Sequence, residues 1–91
     1  TELENLRLKI DDLDDKLIEI LSQRMQFVDE IGSLKKEHNV SVLQNERWQA
    51  IENRVKSICL EKGLTEDFTE QLFKLVHQES ISHQNKIINK S

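Results

Sequence analysis

The feature that most constrains this chain is a seam that runs through its first 38 residues in alternating steps of three and four. Its members, apolar except for one arginine, occupy the a and d positions of a heptad pattern: Leu3, Leu6, Ile10, Leu13, Leu17, Ile20, Arg24, Phe27, Ile31 and Leu34. This spacing predicts one continuous helix to about His38, and such a helix is ~50 Å long. A compact domain of 91 residues is much narrower than that. We therefore expect a second copy of the chain to cover the seam.

The composition excludes most other architectures. The 91 residues include no proline and two glycines, whereas sandwiches, barrels and most α/β folds need turn residues about every ten positions. The length fits one small domain, residues 1–91. The expected fold class is therefore all-α, with three helices in each chain and a long first helix.

Two shorter helices follow a loop at residues 40–42. The second is predicted over about 44–62, because Gly63 is typical of a C-terminal stop. Thr65 is typical of an N-cap, and it predicts a third helix over about 65–88.

The net charge and the single cysteine limit the classes of function and the cellular compartments that fit the chain. The chain carries 13 basic and 17 acidic residues, a net charge of −4, which argues against a general nucleic-acid binder. Its one cysteine, Cys59, cannot pair within the chain, so we expect a reducing compartment, the cytoplasm. No apolar run approaches the ~20 residues of a membrane span. The three histidines have no metal-binding spacing, and we expect neither a metal nor a cofactor.

Polar residues interrupt the apolar faces of all three helices. Arg24 takes a core position, which predicts an anionic partner or a guanidinium that reaches water. Arg47 lies on the apolar face of the second helix and favours a partner inside the bundle. Lys35, taken alone, is interpreted as a solvated lysine. Ser80 and Gln84, four residues apart, indicate either a lined cavity or two interhelical hydrogen bonds.

These residues belong to five segments with a familiar order and spacing: Leu6-Arg7-Leu8-Lys9-Ile10-Asp11-Asp12-Leu13-Asp14, Gln23-Arg24, Ile31-Gly32-Ser33-Leu34-Lys35, Arg47 and Glu79-Ser80-Ile81-Ser82-His83-Gln84. Together they resemble the all-helical chorismate mutases over nearly the whole chain. The resemblance implies an intertwined, antiparallel homodimer with shared active sites. It also implies the conversion of chorismate to prephenate, an isomerase step of the shikimate pathway in aromatic amino-acid biosynthesis.

The resemblance further implies which side chains act on the substrate. Arg7 of the partner chain and Arg24 would bind the two carboxylates of chorismate. Lys35 and Gln84 would contact the ether oxygen of the bond that breaks. We therefore expect Arg24, Lys35 and Gln84 to be catalytic.

The remaining substrate-binding residues follow the family pattern less closely. Arg47 and Ser80 would complete the polar lining near the carboxylates. Gln44 stands where the family commonly has an aspartate, and Trp48 stands where a glutamate usually holds the ring hydroxyl of the substrate. Gln44 could accept that hydrogen bond instead.

The residue types fit the chemistry independently. The rearrangement needs a dianion held in a compact conformer and positive charge at the ether oxygen, with no nucleophile or base. Arginines suit carboxylates, whereas a lysine is a point charge suited to one oxygen. Arg7 and Arg24 lie ~25 Å apart along one helix, so a single chain cannot place both on one small dianion. An antiparallel partner can do so.

Two other functions remain open. Isochorismate–pyruvate lyases resemble these mutases and use a similar set of cations, so the chain could act on isochorismate. Alternatively, it could be a non-catalytic regulatory or dimerisation domain, in covalent or non-covalent association with another aromatic-pathway enzyme such as DAHP synthase.

Overall fold

A computed structural model of the chain describes residues 1–90. They form three helices, α1 (Glu2–His38), α2 (Asn45–Glu61) and α3 (Glu66–Ile88), and no strand occurs in this range. The predicted all-α class is confirmed, and every predicted boundary lies within one residue of the observed one. None of these helices is both long enough and apolar enough to cross a bilayer.

Local signals define the helix ends. Thr1 and Glu4 form a capping box at the start of α1, and Asn39 ends that helix in the left-handed conformation with φ 54°. Thr65 accepts a hydrogen bond from a backbone N–H in the first turn of α3 at 3.4 Å, as its N-cap position predicts. Gly63 follows α2 with φ 83°, a conformation that glycine adopts without strain.

Helix α3 lies between the other two helices, and α1 and α2 make no close backbone approach within residues 1–90. Residues later in α1 contact residues later in α3: Arg24 bonds Ser80, and Lys36 bonds the carbonyl of Ile87. These two helices are therefore parallel. Helices α2 and α3 form an antiparallel hairpin. Any polar group on the inner face of α3 can therefore meet side chains from both neighbours.

Gly32 allows α1 and α3 to approach closely. It is buried, and a Cβ atom at this position would lie 3.2 Å from the Cα of Gln84 and 3.4 Å from its Cγ. The contact fixes Gln84 against α1 one turn before Lys35. In the sequence, Gly32 is notable only as a member of the Ile31–Lys35 segment that carries the family resemblance.

The seam of α1 stays uncovered in one chain. Its apolar members are each 45–66% exposed, and the chain measures 56 × 27 × 14 Å. Its radius of gyration is 16.4 Å, whereas a compact domain of this length has a value of about 12 Å. A continuous apolar face of this length is characteristic of an interaction surface.

We expect Gly32→Val to lower the free energy of unfolding by about 1–3 kcal/mol, because the added methyl groups collide with α3. This effect opposes helix propensity, which favours valine over glycine. Ser33→Val is the matched control, since Ser33 is the exposed neighbour in the same helix and should change stability by less than about 0.5 kcal/mol. Urea unfolding of both variants provides the comparison. Equal midpoints would contradict the close approach.

Candidate active site

Arg24 reaches from the seam of α1 to α3. Its Nη1 donates to the Ser80 Oγ at 2.6 Å, and the same hydroxyl donates to the Val76 carbonyl at 2.8 Å. Arg24 is half-buried, yet no carboxylate lies within ion-pair distance of it in residues 1–90. An ion pair within this range, one of the alternatives for Arg24, is therefore not formed, and the guanidinium is held by a neutral hydroxyl.

Helix α2 adds two cations on the same side. Burial lowers the pKa of Arg24, and the positive charges of Arg47 and Arg54 lower it further. Arg47 is exposed and makes no ion pair within the described chain, so the partner expected for it is not found among residues 1–90. Sequence reasoning missed Arg54, although its position seven residues after Arg47 places it on the same helix face.

Lys35 is also held inside the fold, so its interpretation as a solvated lysine is wrong. Its Nζ donates to the Gln84 Oε1 at 2.8 Å and to the Val42 carbonyl at 2.9 Å. Burial lowers the pKa of Lys35. An ammonium group has three N–H donors, so one remains for a ligand after these two bonds.

The Lys35 contact also orients the Gln84 amide. An ammonium can only donate, so it selects the amide oxygen and turns the Nε2 the other way. Gln84 is buried, with 7% of its surface exposed, and its Nε2 makes a long bond of 3.3 Å to the Ser80 carbonyl within α3. The amide N–H groups are therefore held in a fixed orientation, but they make only one long hydrogen bond within the chain.

Trp48 of α2 and His77 of α3 are in contact with each other. Their rings stack with centroids 4.0 Å apart and an interplanar angle of 12°. Burial lowers the pKa of His77, Glu52 opposes that effect, and Arg24 adds to it. Sequence reasoning missed His77, although its position three residues before Ser80 places it on a neighbouring strip of α3.

Two predicted site residues lie outside this cluster. Gln44 is exposed before the first turn of α2, and its Nε2 donates to the Ser41 carbonyl at 3.0 Å. Arg7 is exposed on α1, ~25 Å before Arg24 along the helix. One chain thus brings together Arg24, Lys35, Ser80 and Gln84, with Arg47 and Trp48 on the α2 side, and leaves Arg7 remote.

Arg24→Met should leave the free energy of unfolding unchanged or raise it by up to about 1 kcal/mol, because a partly buried cation without a carboxylate adds no ion-pair stabilisation. Ser80 keeps its bond to Val76 in this variant. Lys16→Met is the control, since it removes an exposed lysine paired with Asp12 at 3.0 Å, an interaction that contributes less than about 1 kcal/mol. A loss above about 2 kcal/mol in Arg24→Met would show that Arg24 stabilises the fold.

Comparison with known proteins identifies related sequences. The chain is 27% identical to the T-protein of Haemophilus influenzae over 84 residues, 92% of this chain and 22% of that protein. It is 25% identical to the chorismate mutase of Methanocaldococcus jannaschii over 89 residues, 98% and 85% of the two chains. It is 28% identical to the 4-amino-4-deoxychorismate mutase of Streptomyces venezuelae over 75 residues, 82% and 73% of the two chains. The chain thus spans about a fifth of the T-protein and most of the other two.

A family model provides the broader assignment. The model described as chorismate mutase type II matches residues 6–85, which include all three helices almost completely. On this match, the chain belongs to the chorismate mutase type II family.

Proposed function

We propose that this chain is an isomerase that converts chorismate to prephenate by electrostatic stabilisation and conformational restraint. Membership of the chorismate mutase type II family supports the reaction. The observation that carries the proposal is the half-buried Arg24 without a carboxylate partner in residues 1–90. Arg24 bonds to the same helix, α3, as Lys35, which follows it by about three turns of α1 and holds Gln84. Such a site is complete only when an anion occupies it.

In the proposed mechanism, Arg24 binds one carboxylate of the substrate. Ser80 holds the guanidinium at 2.6 Å before the substrate arrives, so part of the ordering cost is met in the free protein. Arg47 lies near enough to lower the pKa of Arg24, and its positive charge attracts the same carboxylate. Holding the two ends of the dianion together favours the conformer in which the new carbon–carbon bond can form.

The ether oxygen gains electron density as its bond to the ring carbon breaks, while a carbon–carbon bond forms within the same molecule. No proton is transferred in this step. The third N–H of Lys35 and the Nε2 of Gln84 would donate to that oxygen. Because Lys35 already holds the amide oxygen at 2.8 Å, the donors are oriented in advance, which is the arrangement that stabilises developing charge most effectively.

The second carboxylate would bind Arg7 of the partner subunit in an antiparallel, intertwined homodimer. Two features support this part of the proposal: the seam of α1 is 45–66% exposed at its apolar positions, and Arg7 is ~25 Å from Arg24 in its own helix. A two-fold axis across the two α1 helices would form two equivalent sites.

Gln44 and Trp48 are proposed to contact the ring of the substrate. The Gln44 amide donates to Ser41 at 3.0 Å, which leaves its Oε1 as a free acceptor for a ring hydroxyl. Trp48 has no carboxylate and presents a flat face next to His77. Gln44 and Trp48 would thus contact the substrate ring through neutral groups, where the family resemblance implies a charged glutamate.

We also propose that the chain associates with another aromatic-pathway enzyme and that it is located in the cytoplasm. Association with another aromatic-pathway enzyme is supported by a bifunctional chorismate mutase/prephenate dehydratase of Buchnera aphidicola, of which the matched region is 22%. A cytoplasmic location is supported by Cys59, the one cysteine in the chain, which is free.

Product analysis tests the reaction directly. The protein is incubated separately with chorismate, isochorismate and 4-amino-4-deoxychorismate, and the products are identified by nuclear magnetic resonance. We expect prephenate from chorismate. Release of pyruvate from isochorismate alone would favour a lyase, and rearrangement of the 4-amino compound alone would match the name of the Streptomyces relative. No product from any of the three would favour a non-catalytic domain.

Lys35→Ala should reduce kcat/KM for chorismate by two to three decades, about 3–4 kcal/mol, because one oriented donor to the ether oxygen is lost. Lys36→Ala is the matched control, since Lys36 is exposed and its Nζ donates to the Ile87 carbonyl at 3.3 Å, away from Gln84. Steady-state kinetics of both variants give the comparison, with circular dichroism to verify the helices. Activity of Lys35→Ala within about threefold of the parent would contradict its assigned role.

Mixing two inactive variants tests whether the sites are shared. Arg7→Ala and Lys35→Ala should each be nearly inactive, because every site in either homodimer lacks one cation. After joint unfolding and refolding, half of the dimers are mixed, and each mixed dimer has one intact site. The mixture should therefore recover about a quarter of wild-type activity. A refolded mixture as inactive as its parents, beside a wild-type sample that refolds well, would refute the shared site.

A further inference from the structure

His77 borders the proposed site but has no part in the mechanism above. Its ring is half-buried and stacks on Trp48 at 4.0 Å. It lies on α3 three residues before Ser80, the residue that accepts a hydrogen bond from Arg24 at 2.6 Å. The charges of Glu52 on α2 and of Arg24 on α1 act on it. A histidine that is influenced by charges of both signs changes its protonation when either charge is compensated.

In the free chain these surroundings favour the neutral imidazole. Burial holds the pKa of His77 below its ordinary value and Arg24 acts in the same direction, while Glu52 opposes them. The ring is therefore mainly uncharged near neutral pH. Its stacking on Trp48, with 12° between the planes, holds it in place without using either nitrogen.

A carboxylate bound to Arg24 would reverse this balance. It would compensate the positive charge that disfavours the imidazolium and bring a negative charge close to the ring. The face of Trp48 attracts a cation, and Glu52 continues to favour the charged form. Only burial would still favour the neutral ring.

We propose that His77 is a positioning residue that takes up a proton when a dicarboxylate binds at Arg24, with Trp48 holding the imidazole next to the ligand. This inference rests on the proposed function, because the ligand is the same dianion. The proton and the ligand then bind cooperatively, and the imidazolium adds a further cation beside Arg24 in the occupied site.

The direction of the pH dependence follows from linkage. His77 is mostly unprotonated in the free chain and gains a proton in the complex, so lowering the pH tightens binding between its two pKa values. Each pH unit within that window strengthens binding up to about tenfold. We expect the dissociation constant of a dicarboxylate to fall about three- to tenfold from about pH 7.5 to about pH 5.5. Below the pKa of the free chain the effect of His77 ends.

Calorimetry can measure this proton directly. The ligand is a stable cyclic ether that carries two carboxylates, titrated into the intact protein in two buffers of different ionisation enthalpy. Wild-type protein should take up a fraction of a proton on binding. His77→Phe keeps a flat ring for Trp48 but cannot titrate, so its uptake should be close to zero. His38→Gln is the matched control, because His38 is exposed at the end of α1, and its uptake should equal that of wild type.

Kinetics with chorismate provide a second measurement that a purely structural role would not alter. The KM of wild type should fall as the pH is lowered, with kcat nearly constant, because His77 affects binding and not the ether oxygen. In His77→Phe the KM should be independent of pH over the same range. If that variant does not fold, His77→Gln replaces it, since an amide also cannot titrate.

Two results would overturn the inference. Equal proton uptake by wild type and His77→Phe would show that another group gains the proton, even if chorismate is converted to prephenate. A dicarboxylate that does not bind, together with no prephenate, would refute the proposed function and this inference at once. Formation of prephenate separates the two cases.

Discussion

The contact between Gly32 and Gln84 sets the distance between α1 and α3, and the positions of the polar groups depend on it. A Cβ at Gly32 would lie 3.2 Å from the Cα of Gln84, closer than side chains ordinarily approach a neighbouring backbone, so glycine suits this contact best. At this distance the Lys35 Nζ reaches the Gln84 amide at 2.8 Å. On the same pair of helices, Arg24 reaches Ser80 at 2.6 Å. The close approach of the two backbones therefore determines which donor groups of Arg24, Lys35 and Gln84 are left for a substrate.

The cations of the candidate site lie close together, and neither Arg24 nor Arg47 has a carboxylate partner within residues 1–90. The chain has a net charge of −4, yet Arg24, Arg47 and Arg54 lie close enough for the pKa of Arg24 to be lowered by the other two. Carboxylates pair elsewhere: Asp29 bonds His83 at 2.8 Å on the other flank of α3. Mutual repulsion of these cations costs stability, and the proposed dianion would relieve it. Such a trade between stability and function is common at binding sites.

The parts of the fold that depend on local sequence could be predicted, and those that depend on helix rotation could not. Heptad spacing is a local property, so α1 could be predicted directly, as could the helix ends marked by Gly63 and Thr65. The pairing of Lys35 with the Val42 carbonyl was not predictable, because it depends on how the loop after α1 folds back. The burial of Lys35 was missed for the same reason.

The candidate site could be predicted only in part for a related reason. The positions of Arg24, Ser80 and Gln84 on apolar stripes are visible in the sequence alone. His77 is half-buried beside the stripe of α3 and Arg54 is exposed on α2, and a histidine or an arginine in such a position has no distinctive spacing. Their relevance appears only when α2 is placed against α3 and Trp48 is found on the His77 ring. The contact of Arg7 depends on how two copies of the chain associate, so its contribution to the site is a proposal.

The central claim is that cations without partners in one chain, completed by Arg7 of the partner subunit, hold a dianion for rearrangement. A crystal structure of the protein with a stable cyclic ether dicarboxylate bound tests this most directly. The account predicts a two-fold dimer in which one carboxylate contacts Arg24 and the other contacts Arg7 of the partner subunit. Lys35 and Gln84 should both lie within hydrogen-bond distance of the ether oxygen, about 2.7–3.2 Å. A ligand bound by residues of one chain alone, or bound away from Arg24, would contradict the account.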